Sequence, residues 1–449
     1  MRKYVTAMFC LSAVLSFCGQ SLADVHLGGY VETDNRLRLQ GGKNFTWNEN
    51  RLGLKLEGEP SEGAHFYGEL GIKGFGFSDV SQSPDLMRKD KSRVMPWALE
   101  FKEAYVDFYG LLFENLDVRI GRQRIVWGTA DKINPTDNLN PDDLEDPLDF
   151  GRKLGTNALK ATCYMGDYTL TGVYIPVLTP AALPPPDWAF TSGDALTLPP
   201  GMHLGEMRDK ILLPKRTPRE SSMVGLKAAK SFFEYDFSLS YFYGRDDFPI
   251  AAKVDLTPVD STTVDLATTL VFPKMQVIGL DMAGTIGDVG VWAEGAVSLP
   301  ENVETAVTTP TEEGMVTQKI VALKDEAYFK GVVGGDYTFR NGIYVNGQYI
   351  HGFPTERGRE ALEDYFVLAL EKKCLNEALK LRLAGFVEVK DFEEVEEHYA
   401  AALLPEISYY PFDSTEILLG GYVIEGEEGT AFGNFKENDE VYLKCKVSF

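Results

Sequence analysis

Charged side chains recur at every second position through much of this 449-residue chain, interleaved with apolar ones. Arg36, Arg38, Arg51, Lys55, Lys73 and Arg119 alternate in this way among Glu32, Asp34, Glu69, Glu103 and Asp107, and Lys380, Arg382, Lys444 and Lys446 continue the series. Opposed basic and acidic strips across a wet passage would set up a transverse field that orients polar solutes and selects them by charge. The plainer alternative is that these charges neutralise one another and merely keep the passage wet.

The densest segment is Gly121-Arg122-Gln123-Arg124-Ile125-Val126-Trp127-Gly128-Thr129-Ala130-Asp131, followed by Asn134-Pro135-Thr136-Asp137 and Asn140-Pro141-Asp142-Asp143. Trp127-Gly128 ends a strand, and the Asn-, Asp- and Pro-rich stretch after it is long enough to fold back into a wide lumen. Residues 128–155 are therefore expected to form an inward constriction whose acids, Asp131 and Asp137 among them, meet Arg119, Arg122 and Arg124. An ordinary external loop is the competing reading. Asp137, Asp142, Asp143, Glu145 and Asp146 have the chemistry of a Ca²⁺ site, but their spacing lacks the central glycine of an EF-hand loop. No nucleophile elbow, phosphate loop or paired-cysteine zinc pattern is present, which argues against an enzyme. No cofactor is required by any motif.

These residues need elements to hold them, and the period-two alternation specifies strands. The last nine residues, Val441 to Phe449, put Val441, Leu443, Cys445, Val447 and Phe449 on one face and Tyr442, Lys444, Lys446 and Ser448 on the other. That is the pattern of a strand with lipid on one side and water on the other. At the start, Val25, Leu27, Gly29 and Val31 oppose Tyr30, Glu32, Asp34, Arg36 and Arg38. Tight connections near 59–63, 110–115, 165–167, 231–234, 287–288, 340–342, 373–376 and 411–414 alternate with long ones at 40–50, 77–97, 128–155, 177–220, 245–274, 300–325, 354–361, 391–397 and 426–439. Asn341-Gly342 has the composition of a primed hairpin turn. Residues 262–272 fit an extra hairpin within one long loop or a strand extension. The Pro-rich segment 176–218 is expected to be the largest external loop, with a lid over the mouth as its sharper reading. Aromatics gathered at the short turns, such as Phe108, Tyr109 and Phe113, or Tyr337, Phe339 and Tyr344, or Tyr409, Tyr410 and Phe412, suit an interfacial girdle.

The whole reads as an all-β transmembrane antiparallel barrel of about eighteen strands, with short periplasmic turns and long extracellular loops. Arg2 and Lys3, the apolar stretch from Tyr4 to Phe17 and Ser21-Leu22-Ala23 have the layout of a signal peptide covering 1–23, leaving 24–449 as the barrel. Beyond it no apolar run is long enough for a spanning helix. Cleavage removes Arg2 and Lys3 and no acid, taking the formal charge from −23 to −25, so nucleic acid is an unsuitable partner. Cys163, Cys374 and Cys445 would remain, too few and scattered for a disulfide framework.

The Gly-Arg-Gln, Trp-Gly, Asn-Pro string resembles a proteobacterial family of outer-membrane porin-like barrels known as a domain of unknown function. Looser likeness continues at Tyr241-Phe242-Tyr243-Gly244-Arg245-Asp246-Asp247, at Gly279-Leu280-Asp281 and from Gly335-Asp336-Tyr337 through Gln348-Tyr349. The resemblance implies a barrel and transport, without a substrate. The expectation is a Gram-negative outer-membrane channel for passive or selective passage of small polar or amphipathic solutes. Its partners would be outer-membrane lipid and lipopolysaccharide, the barrel-assembly machinery and a small-molecule solute. The alternatives are an esterase-like barrel enzyme and an export or sheath barrel housing a partner protein.

Overall fold

Strand follows strand from Val25 because each apolar and polar alternation is bounded by a turn. In the computed structural model, which describes residues 25–188, 203–260, 262–311, 314–427 and 429–449, the first is Val25–Arg38 (β1) and the second Phe45–Ser61 (β2). Next come Ala64–Phe75 (β3), Trp97–Phe108 (β4), Leu116–Gln123 (β5), Thr156–Met165 (β6), Tyr168–Ile175 (β7) and His203–Leu212 (β8). Met223–Phe232 (β9), Tyr235–Arg245 (β10), Ile250–Pro258 (β11), Thr263–Val271 (β12), Lys274–Ile286 (β13), Val289–Pro300 (β14), Val303–Thr311 (β15) and Gly314–Leu323 (β16) follow. Tyr328–Thr338 (β17), Ile343–His351 (β18), Asp364–Cys374 (β19), Leu379–Val389 (β20), Tyr399–Tyr409 (β21), Thr415–Gly426 (β22) and Glu440–Ser448 (β23) complete the series.

Eighteen of these form one antiparallel sheet, each paired with its neighbours along the chain once β8, β11, β12, β15 and β16 are set aside. The sheet closes because β23 pairs with β1, Lys446 opposite Glu32 and Lys444 opposite Asp34. Closure leaves no unpaired edge in the barrel wall. Among the described residues helix is confined to single turns. The proposed leader, 1–23, lies outside the described residues.

The alternation fixes which way each side chain points. Leu27, Val31, Leu280 and Leu443 lie on the exposed outer face, while Asp34, Arg36, Glu69 and Asp281 are buried on the inner one. Cys163 and Cys445 share the outer face with Leu116 and Ile417, their cross-strand partners, and both are free. At the short-turn end Phe113, Phe232, Phe233, Phe339 and Phe412 are exposed as a girdle requires. Tyr344 and Tyr410 depart from that expectation. They point inward, donating to the carboxylates of Asp336 and Glu416.

Three local expectations change. β2 begins at Phe45, so the 40–50 connection is a short one between longer strands. The turn at 340–342 is not a two-residue primed turn. Gly342 alone takes positive φ (79°) and its N–H donates to Phe339 O, the three-residue form that ends in a left-handed residue. The segment 176–218 is not all loop, since its Pro-free stretch 203–212 forms β8. β8 is an edge of a second sheet in the order β16-β15-β11-β12-β8, built wholly from the long connections, in which β11–β12 is the hairpin anticipated near 262–272.

The interior departs furthest from expectation. A barrel of this strand number is expected to enclose water, yet the long connections fill much of it with apolar packing. One cluster joins Ile133 and Trp188 to Val332, Tyr365, Phe386, Tyr422, Phe432 and Phe435. Another joins Trp127 and Leu139 to Ile175, Met223, Phe242 and Val277.

Candidate functional site

The chain leaves β5 at Gln123 and re-enters the sheet at Thr156, and Asn140 ties the two ends of the excursion together. Its side-chain amide donates to Gln123 O (3.0 Å) and Leu154 O (2.8 Å), and its carbonyl oxygen accepts from Ile125 N (2.6 Å). Gly128 turns the loop inward. Its φ of 85° is unfavourable for other residues, and a Cβ there would collide with the Glu294 carboxylate.

Glu294, on β14, receives the loop. It accepts from Thr136 N (2.7 Å), Thr136 Oγ1 (2.8 Å), Thr129 N (3.0 Å), Ala130 N (3.2 Å) and Asn134 Nδ2 (3.2 Å). At the other side Asp146 accepts from Arg36 of β1 at 3.0 and 2.5 Å, with Lys444 of β23 3.8 Å away. Glu145 accepts from Lys73 of β3 at 2.8 and 2.6 Å. β14 and β1 stand eight strands apart in the ring of eighteen, so loop 128–155 crosses from one wall nearly to the opposite one. Phe150 seats it edge-on against Phe353, Phe386 and Phe432.

The loop also meets two shorter connections. Asp142 N donates to Asp247 Oδ2 (2.7 Å), Lys153 pairs with Asp142 (2.8 Å), and Arg357 binds Asp246. Trp188 descends into the mouth against Tyr422 and Phe435, while Asp187 pairs with Arg38 (3.1 Å). Thus one end of the 177–220 connection packs over the lumen.

Burial, only partly offset by Lys153, pushes the Asp137 carboxyl up to about 7. Burial with Asp142 and Asp246 nearby likewise raises Asp247. Asp146 moves the other way: burial opposes ionisation, but Arg36 and Lys444 hold it well below the usual carboxylate range.

The loop folds inward between Glu294 and Arg36, but its acids take other partners than expected. Arg119 binds Asp107 (2.6 Å), and Arg124 stands 3.5 Å from Glu103. Arg122 is opposite Ala104 and Asn157, on the parity of the outward Ile120, because successive strand residues alternate faces and 119 and 122 differ by an odd number. Arg51 binds Glu49, Arg382 binds Glu406 (2.7 Å), and Lys55 lies inward opposite Glu69. Lys444 and Lys446 approach Asp34 (3.3 Å) and Glu32 (3.8 Å), on the same wall as Arg36 and Arg38. Asn346 Nδ2 donates to Asp131 (3.4 Å). Instead of two opposed strips, the wall from β23 through β5 carries acids and bases as neighbouring pairs. Asp142, Asp143, Glu145 and Asp146, weighed as cation ligands, are each bound to Lys or Arg, and among the described residues no three carboxylate, His or Cys groups converge as a metal site.

Glu294, Trp188 and the Asp246–Arg357 pair were not anticipated. A signal existed for Glu294, a lone carboxylate on an inward parity otherwise held by Trp292, Ala296 and Ser298. Between the loop and the β4–β5 wall a cavity of about 570 Å³ remains, bounded by Tyr105, Arg119, Arg124, Val126, Lys132 and Phe150 among others.

A family model described as "Protein of unknown function (DUF1302)" matches residues 31–358. Among solved structures, Acinetobacter baumannii OccAB2 is similar at 9% identity and a TM-score of 0.52, covering 95% of this chain and 98% of that one. Pseudomonas aeruginosa OccK11 (OpdR) aligns at 11% identity and a TM-score of 0.47 over 95% and 96% of the chains. Salmonella typhi OmpF in complex with daunomycin gives 9% and 0.40 over 95% and 98%. These likenesses concern the fold. No curated protein matches the sequence significantly.

Proposed function

On the premise that the chain belongs to the DUF1302 family of proteins of unknown function, we propose that it is a porin-like channel of the Gram-negative outer membrane, passing small polar or amphipathic solutes. Supporting an outer-membrane location are the closed wall, its outward belt of Leu, Val and Ile, and the phenylalanines at the short-turn end. The observation that carries the channel reading is loop 128–155, anchored by Glu294 on β14 and Arg36 on β1, so that a solute moves between the loop and a wall of paired charges. Packing by the chain's own loops leaves little lumen for a partner protein, which disfavours a sheath.

Planar bilayers containing purified barrel test the reading, with a panel of anions, cations and sugars. Small, discrete conductance steps are the expected result. A barrel that folds but conducts nothing, or one that hydrolyses simple esters, overturns it.

A further inference from the structure

The cavity between the loop and the β4–β5 wall has a charge opposite to that of the protein. The chain carries a formal charge of −23, but the cavity is bordered by five cations, Arg119, Arg124, Lys132, Arg152 and Lys153. Among the described residues three carboxylates, Glu103, Asp137 and Asp149, face them there. One of the three, Asp137, is fully enclosed and tends toward the neutral form.

The five cations are not equally committed. Lys153 is enclosed with Asp142, Arg152 is held by Asp143 at 2.6 Å, and Arg119 is fixed by Asp107 and by the Tyr105 ring 3.9 Å from its guanidinium carbon. Arg124 and Lys132 are looser. Arg124 stands 3.5 Å from Glu103 with its side chain 48% exposed, and Lys132 pairs with an exposed Asp149 with 53% of its own side chain exposed. Pairs this exposed contribute little and exchange readily for another anion. Glu103 already accepts from the Arg124 backbone N–H at 2.7 Å, so part of its acceptor capacity is turned away from the guanidinium.

Beside these cations the cavity has an apolar patch. Val126, two residues from Arg124, is 76% exposed, and Phe150 borders the same space. A guanidinium fork held only by a long 3.5 Å contact to Glu103 can turn to a carboxylate, and an exposed valine next to an aromatic suits a hydrocarbon body. The volume of about 570 Å³ is in the range of small-molecule pockets.

We propose that this cavity is a binding site for small amphipathic monocarboxylates, with Arg124 and Lys132 holding the carboxylate and Val126 and Phe150 the apolar end. This names a solute class for the channel described above and rests on that reading for its place in transport, though not for binding itself.

Titration calorimetry on the full-length barrel in detergent, with benzoate, benzylammonium and acetate as probes, tests it. Benzoate binds saturably and about tenfold tighter than either other probe, the scale of one charge-assisted hydrogen bond or a few buried methylenes. Arg124→Gln weakens benzoate by about tenfold, and Val126→Ser brings it toward acetate. Glu103→Gln keeps an acceptor for the Arg124 N–H while freeing the guanidinium, so it tightens benzoate, a gain that misfolding cannot imitate. Equal binding of benzoate and benzylammonium, or unchanged benzoate affinity in a folded Arg124→Gln barrel, overturns the site. Benzoate binding by a barrel that conducts nothing leaves the site standing and removes the channel, whereas conduction without benzoate binding does the reverse.

Discussion

Arg36 on β1 reaches Asp146, 110 residues later, through two hydrogen bonds of 3.0 and 2.5 Å, and the same guanidinium holds Asp34 two residues along its own strand. Arg36 is 5% exposed, so this is a buried ion cluster that fastens the inward loop to the wall. Removing the shared cation leaves the two carboxylates with Lys444, 3.3 and 3.8 Å away, as their remaining direct ion-pair partner among the described residues. Arg36→Ala is expected to destabilise the loop's inward position by about 3–5 kcal/mol, the cost of breaking a buried pair from one side. Single-channel recording checks it: conductance rises and the trace becomes noisy. An unaltered trace means that the loop is held elsewhere.

The second anchor makes a sharper comparison. Glu294 satisfies three backbone N–H groups of the loop as well as the side chains of Thr136 and Asn134. Glu294→Ala leaves those donors unpaired at about 1–3 kcal/mol for each one that stays buried. Glu294→Gln retains one carbonyl acceptor. The alanine variant is expected to show faster hydrogen exchange at 128–137 than the glutamine variant. Equal exchange in the two would remove the anchoring role.

Acid and base sensitivity follow from opposite shifts. Asp137 rises from 3.8 in the unfolded chain to about 7 in place, so the stability it contributes falls as pH climbs between these values and levels off above about 7. Asp146, held down by Arg36, loses its contribution only in strong acid. From pH 5 to 8 the loop is therefore expected to loosen as pH rises. Asp137→Asn should flatten the conductance profile over that window; a variant as pH-dependent as the parent would assign the effect to another group.

The outer face has its own test. Leu280 points outward from the middle of β13 and is 58% exposed. Leu280→Arg is expected to cost about 2–4 kcal/mol where the wall meets acyl chains. Refolding into lipid vesicles reads this as a lower folded fraction, with far less loss for the same change at Leu112, an exposed residue of the β4–β5 turn.

The Asn140 clamp shows why the loop was only partly legible. Asn-Pro and Asp-rich spacing marks a stretch that leaves the sheet, and its length permits an inward fold. Its acids are equally compatible with solvation outside. Sequence spacing also grouped Arg119 with Arg122, although strand parity turns them to opposite sides of the wall.

What the chain alone determined was everything that depends on neighbours in sequence: the period-two faces, the alternation of short and long connections, and an even strand number near eighteen. Closure of the sheet follows from the barrel reading, since a sheet in lipid cannot leave an edge. Tertiary structure decided what fills the barrel. Apolar residues such as Ile133, Phe150, Trp188 and Phe432 carry no period-two signature, because they sit in loops, and their burial depends on apolar side chains from β17 through β22 meeting them inside the lumen. The pairing of Asp146 with Arg36 is of the same kind. Its stability arises from desolvation and contact geometry, which distant positions acquire only when the wall has closed around the loop.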